Sequence, residues 1–147
     1  MLRVMIVDDS EERSLYLRLM LEQVGYTVVA EVFEPRNIYA AVKAHAPDVI
    51  IVDTESPSRD TLEHVAVLSE TDPRPIVMFS SDSGSDTIRE AVQAGVSAYI
   101  VDGLAAERVK PIVEVAIARF ESYQAVKTEL AQVRTKLSER VFSLMIL

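Results

Sequence analysis

Short apolar runs alternate with amphipathic stretches along most of the chain, and their two periodicities assign the elements. Arg3–Val7 reads as a buried strand. Glu11–Val24 places Leu17, Met20, Leu21 and Val24 on one helical face, and Gly25 stands where a C-cap glycine belongs. Thr27–Val32 is a β-branched run. In Arg36–His45, Ile38, Ala41, Val42 and His45 fall at i, i+3, i+4 and i+7, and Pro47 ends that helix. Val49–Val52 is wholly apolar, as a central parallel strand covered on both faces must be. A helix over Ser58–Glu70, a strand over Ile76–Phe79, a short helix over Asp86–Gln93 closed by Gly95, and a strand over Ala98–Val101 complete a (βα)5 order. The fold expected is α/β: a doubly wound sandwich around a five-stranded parallel sheet.

From Ala105 the pattern changes. Glu107 to about Leu144 has no glycine, and its only proline, Pro111, is expected in the first turn, where proline is tolerated. Ile112, Val113, Ala116, Ile117 and Phe120 should pack on the sheet. Beyond them Tyr123, Val126, Leu130, Val133, Leu137, Val141 and Leu144 recur at spacings of three and four, imperfect around Val141. That is the seam of a coiled coil, since a lone helix would leave the stripe wet. The expected organisation is one domain over residues 1–120 and a coiled-coil extension over residues 121–147, forming a parallel homodimer.

Carboxylates follow the strands. Asp8 and Asp9 come after the first, and Asp53 ends the third apolar run. Ligands of an open parallel sheet sit beyond the carboxyl ends of its strands, so these acids should share one pocket. Such a pocket suits a hard divalent cation such as Mg²⁺, and a carboxylate in it is a candidate phosphoryl acceptor. The chain has no cysteine, which removes disulfides and thiolate chemistry. A net charge of −8 argues against broad nucleic-acid binding. No signal-peptide layout or membrane-length apolar run is present, so a cytosolic protein is expected. His45 and His64 lack any paired ligand spacing.

Val7-Asp8-Asp9-Ser10, the stretch Pro47–Asp60, Ser80 and Tyr99 together resemble the receiver domain of two-component response regulators over about residues 1–120. The resemblance implies the flavodoxin-like, CheY-like version of the sandwich. It implies Asp53 as phosphoacceptor and Asp8, Asp9, Asp53 and the backbone carbonyl of Glu55 as Mg²⁺ ligands. It also implies Ser80 as the hydroxyl that turns toward the phosphoryl group, Tyr99 as the aromatic that follows it, and a non-enzymatic, regulatory role. One position departs from the family: its fifth-strand lysine is replaced by Asp102. Loss of that cation makes control by a sensor protein, without phosphorylation, the alternative to control by a kinase. Arg59 and Arg89 are the nearest replacement cations in sequence.

Ile51–Asp60, Pro73–Phe79, Gly95–Val101 and Ala116–Ser122 further resemble the NasT/AmiR group of nitrate/nitrite-regulatory transcription antiterminators. In that group a coiled coil leads into ANTAR, a helical RNA-binding module. Lys136–Arg140 is similar to the entry of that module, but Val141–Leu147 does not continue its pattern. RNA binding is therefore expected of the missing module, not of these residues. A metal-dependent phosphatase using Asp8, Asp9 and Asp53 is a remote alternative, because no separate general base is evident. A flavodoxin-like cofactor carrier would need a phosphate-cradling glycine loop where Asp8–Glu12 is acidic.

Overall fold

A computed structural model describes residues 1–145. Five strands, β1 (Arg3–Val7), β2 (Thr27–Val32), β3 (Val49–Thr54), β4 (Ile76–Ser80) and β5 (Ala98–Val101), form one sheet in the order β2-β1-β3-β4-β5. Every neighbouring pair is parallel. Five helices alternate with them: α1 (Glu11–Gln23), α2 (Ile38–His45), α3 (Arg59–Thr71), α4 (Ser85–Ala94) and α5 (Ala106–Met145).

Strand residues alternate between the two faces of the sheet. Val4, Ile6, Val49, Ile51, Val77 and Phe79 pack against α1 and α5 through Leu17, Leu21, Val109 and Val113. Met5, Val7, Ile50, Val52 and Met78 meet α2, α3 and α4 through Ile38, Val42, Val65, Leu68 and Ala91. Both faces are covered, which is why the central strands carry no polar side chain until their ends.

Several boundaries differ from the sequence expectation for local reasons. Pro35–Asn37 forms a 3-10 turn ahead of α2, because Pro35 sets that first turn. Ala46 ends α2 in the left-handed region (φ 45°), immediately before Pro47. β3 continues through Asp53 and Thr54, and β4 includes Ser80, so Asp53 and Ser80 are strand residues. α5 begins at Ala106, which puts Pro111 in its second turn, not its first. The Glu107 carbonyl thereby loses its i+4 donor, yet the helix carries on.

α4 closes on Gly95 at φ +112°. A methyl there would adopt a strained backbone and overlap Ser69 on α3, standing 2.7 Å from its Cβ. Gly95→Ala is therefore expected to destabilise the fold by about 2 kcal/mol, read from urea midpoints at unchanged slope.

Burial along α5 stops near Phe120 and Gln124, and the residues beyond are exposed on all sides. At 1.5 Å per residue, the overhang from residue 121 to 145 extends about 37 Å. Tyr123, Val126, Leu130, Val133 and Leu137 lie on it, between 48% and 64% exposed. The last two residues of the expected coiled-coil segment, Ile146 and Leu147, lie outside the described residues. No helix among the described residues is long and apolar enough to cross a membrane.

Candidate phosphoacceptor site

The strand order reverses direction between β1 and β3, and the acids lie at that point. Val7 pairs with Val52, so Asp8 and Asp53 follow in adjacent strands at the same level. The Asp8 backbone N–H donates to the Val32 carbonyl (3.0 Å), which holds Asp8 as the chain leaves the sheet. Asp8 is 1% exposed. Its Oδ1 accepts from the Ser10 N–H (2.9 Å) and from Arg13 Nη2 (3.1 Å), whereas its buried Oδ2 has no hydrogen-bond partner.

Ser10 caps α1, its Oγ accepting from the Arg13 N–H (3.2 Å), and this first turn aims Arg13 back at the pocket. Arg13 Nη2 also donates to Asp9 Oδ1 at 2.7 Å. The guanidinium thus bridges both acids of the β1–α1 loop, and those acids hold its proton more tightly than usual, chiefly through the Asp8 hydrogen bond. Asp53 is half-buried. Its carboxyl is pushed up from 3.8 to about 6, first by burial, then by the hydrogen bonding and charge of Asp8, with Arg13 working against the shift.

That shift has a sign. Because the folded protein holds the Asp53 proton to higher pH than the unfolded chain, the stability linked to this group is fully present below pH 3.8 and lost as pH rises through about 6. Partial exposure reduces the effect to about 1 kcal/mol. In metal-free buffer, the stability of Asp53→Asn relative to wild type should therefore rise between pH 4 and pH 7 by about that amount. Thermal unfolding across that range checks it.

The oxygen donors fit a hard divalent cation. Two carboxylates crowd one spot, one buried carboxylate oxygen lacks a partner, and the local shortage is of positive charge. No three acidic or histidine side chains among the described residues already converge as a ligand set. The Glu55 carbonyl accepts from Ser80 Oγ (3.1 Å) and from the Ser81 N–H (3.0 Å), so both its lone pairs are engaged.

Asp53 lines one of two clefts at this end of the sheet, and the other begins at Thr54. One, of about 230 Å³, is lined by Asp53, Thr54, Ser80, Ser81 and Asp102. The other, of about 460 Å³, is lined by Asp9, Ser10, Arg13 and residues 54–56. Asp102 stands in a left-handed conformation (φ 50°), its N–H donating to the Ser80 carbonyl (3.0 Å). It is exposed, and the charges that dominate Asp53 are those of Asp8, Arg13 and Asp9. The departure at position 102 therefore acts more as a missing cation than as an added anion.

Ser80 and Tyr99 meet at the loop after β4. Asp82 N–H donates to Ser80 Oγ (3.0 Å), and the Tyr99 hydroxyl donates to the Asp82 carbonyl (2.7 Å). The Asp82 carboxylate accepts from the Gly84 N–H (2.9 Å), Ser56 Oγ (2.7 Å) and Thr87 Oγ1 (3.1 Å), which hold it below the usual carboxylate range.

The two candidate replacement cations are elsewhere. Arg59 pairs with Glu63 (3.1 Å) and Arg89 with Asp86 (3.3 Å), each an exposed pair within its own helix. His45 is exposed, and His64 Nδ1 lies 2.9 Å from the Asp60 carbonyl. Arg13 and Asp82 went unread in the sequence. Arg13 lies four residues after Asp9 in a helix's first turn, and Asp82-Ser83-Gly84 is an aspartate-led turn, so both signals were present.

Residues 4–114 match the family described as the response regulator receiver domain. The chain is 29% identical to the transcriptional regulatory protein PdtaR of Mycobacterium tuberculosis over 138 residues, covering 94% of this chain and 67% of that one. It is 29% identical to the chemotaxis protein CheY of Bacillus subtilis over 108 residues, covering 73% of this chain and 90% of CheY. The response regulator domain of Thermotoga maritima CheB shares the fold at a TM-score of 0.69 and 22% identity, over 80% of this chain and 96% of that domain.

Proposed function

Because this chain belongs to the response regulator receiver domain family, we propose that Asp53 is the phosphoacceptor of a two-component switch. The observation that carries the reading is the buried Asp8 carboxylate, one oxygen unpartnered, crowding the Asp53 carboxyl at the carboxyl ends of adjacent strands. An Asp53 oxygen attacks the phosphorus of a phosphodonor, and the bond from phosphorus to the leaving group breaks with its electron pair. The product is an aspartyl phosphate. Asp8, Asp9 and Asp53 would hold Mg²⁺, joined by the Glu55 carbonyl once it gives up a hydrogen bond. When bound, the ion neutralises charge on the transferring group.

Ser80 and Tyr99 form the readout. A dianion on Asp53 offers the Ser80 hydroxyl a charge-assisted hydrogen bond, stronger than the one to the Glu55 carbonyl. Turning toward it releases the Asp82 N–H, and Tyr99 is tied to that same residue. The β4–α4 loop is thus the element that the added charge biases.

The exposed stripe of α5 supports a homodimer with a second copy of this chain, joined as a parallel coiled coil. The output is transcriptional, a reading supported by the likeness to a named transcriptional regulatory protein across nearly the whole chain. Antitermination of nitrate/nitrite genes through an ANTAR module rests on the NasT-type motifs. Asp102 supports a second reading, in which a ligand-sensing protein replaces the kinase as the input.

The test is intact-mass spectrometry after incubation with Mg²⁺ and a small acyl phosphate. One phosphoryl group per chain, gained only with the cation, is expected. An unchanged mass in a folded protein that binds Mg²⁺ leaves the partner-controlled reading.

A further inference from the structure

The family's cation is missing from the Asp102 side of Asp53, but a cation stands on the other side. Arg13 Nη2 bridges Asp8 and Asp9 at 3.1 and 2.7 Å. Those are two of the carboxylates that the cation site needs. The Arg13 side chain is 43% exposed and lines the cleft formed with residues 54–56, the three that follow Asp53. It rides on a stem in the first turn of α1, free to move without disturbing the cap, which uses only its backbone N–H.

We propose that Arg13 is a two-position counter-ion. In the metal-free protein it neutralises Asp8 and Asp9. Displaced by a divalent cation, it turns along the cleft and pairs with the phosphoryl oxygens on Asp53, in place of the cation absent at position 102.

Three observations support the exchange. Arg13 is paired with both Asp8 and Asp9, so a divalent ion drawn to these two carboxylates competes with the guanidinium for the same negative charge. Arg13 lines the same cleft as Thr54, Glu55 and Ser56, the residues that directly follow Asp53. A guanidinium presents a planar donor fork suited to phosphate oxygens, and it stays charged at any working pH. Arg59 and Arg89 are held by acids on their own helices, whereas Arg13 lines the cleft beside residues 54–56.

This inference rests on the phosphoacceptor reading of Asp53. Its test compares wild type, Arg13→Gln and Arg13→Lys on the full chain. Mg²⁺ affinity is measured by calorimetry, and the rate of phosphoryl uptake from an acyl phosphate at saturating Mg²⁺ by intact mass. Arg13→Gln should bind Mg²⁺ about tenfold more tightly, because a competitor is gone, yet accept the phosphoryl group about tenfold more slowly. Arg13→Lys should recover much of the rate.

The opposite signs are the signature, since a merely structural role of Arg13 would weaken both. Unchanged Mg²⁺ affinity overturns the proposal. So does tighter binding with an unchanged or faster rate, which would make Arg13 only an obstacle. No uptake by wild type defeats the phosphoacceptor reading itself and the second position of Arg13 with it. That outcome is distinct from equal uptake by wild type and Arg13→Gln, which defeats the Arg13 inference alone.

Discussion

Asp53→Asn is expected to keep its unmodified mass under conditions that add one phosphoryl group to the wild type, while Asp102→Lys gains the group about tenfold faster. The first effect follows from chemistry. An amide oxygen is no substitute for a carboxylate nucleophile, and Asp8 beside it is buried and already accepts from Ser10 and Arg13. The second follows from charge. At an effective dielectric near 20, one charge pair roughly 7 Å apart is worth about 2 kcal/mol. Position 102 is exposed, so screening reduces that to about 1.4 kcal/mol, or tenfold in rate. The left-handed backbone there costs a lysine some stability, so folding of the variant is checked by its unfolding midpoint. A residual adduct in Asp53→Asn would move the acceptor to another residue. An unchanged rate in Asp102→Lys would mean that Arg13 already supplies the needed cation.

The second large effect concerns α5. Leu130→Glu together with Leu137→Glu should convert a dimer into a folded monomer, seen by light scattering at concentrations where wild type is wholly dimeric. Both leucines are about half exposed on the isolated helix, 50% and 55%, in a stripe with Tyr123, Val126 and Val133. Burying the exposed half of each leucine against a partner contributes about 1 kcal/mol or more, and four leucines are lost per dimer. The dimer should therefore weaken by at least about a thousandfold, before counting the cost of facing glutamates. Both residues point away from the sheet, so the unfolding midpoint of the α/β body at high dilution should not change. A wild-type monomer at micromolar concentration would refute the coiled coil.

Much of the architecture was legible because burial dictates pattern. Val49–Val52 is apolar throughout since helices cover both faces of β3, and Leu17, Met20 and Leu21 mark the one buried stripe of α1. The acids at the ends of β1 and β3 were equally plain. What escaped were features set by side-chain direction and backbone sign. Arg13 looks like any arginine on an amphipathic helix, and only the cap at Ser10 shows which way its first turn faces. Asp82 looks like a loop residue, yet it gathers hydrogen bonds from Ser56, Thr87 and Tyr99. The left-handed turn at Asp102, which pairs its N–H with the Ser80 carbonyl, has no signature in a single residue type. Nor does a strand pattern reveal that Asp53 and Ser80 remain inside their strands, because pairing with Phe79 and Thr54 decides that.

The unbroken course of α5 has a mechanical consequence. Its first turns are clamped to the sheet through Val109, Val113 and Ala116, and the remainder stands free without a hinge glycine. Such a rod acts as a lever arm. A tilt of about 10° at its base would sweep the far end by about 6 Å, more than one helical turn. Small adjustments around Asp53 therefore need not travel through a chain of contacts to be felt at a distance. Leverage alone can part or align whatever the tip carries.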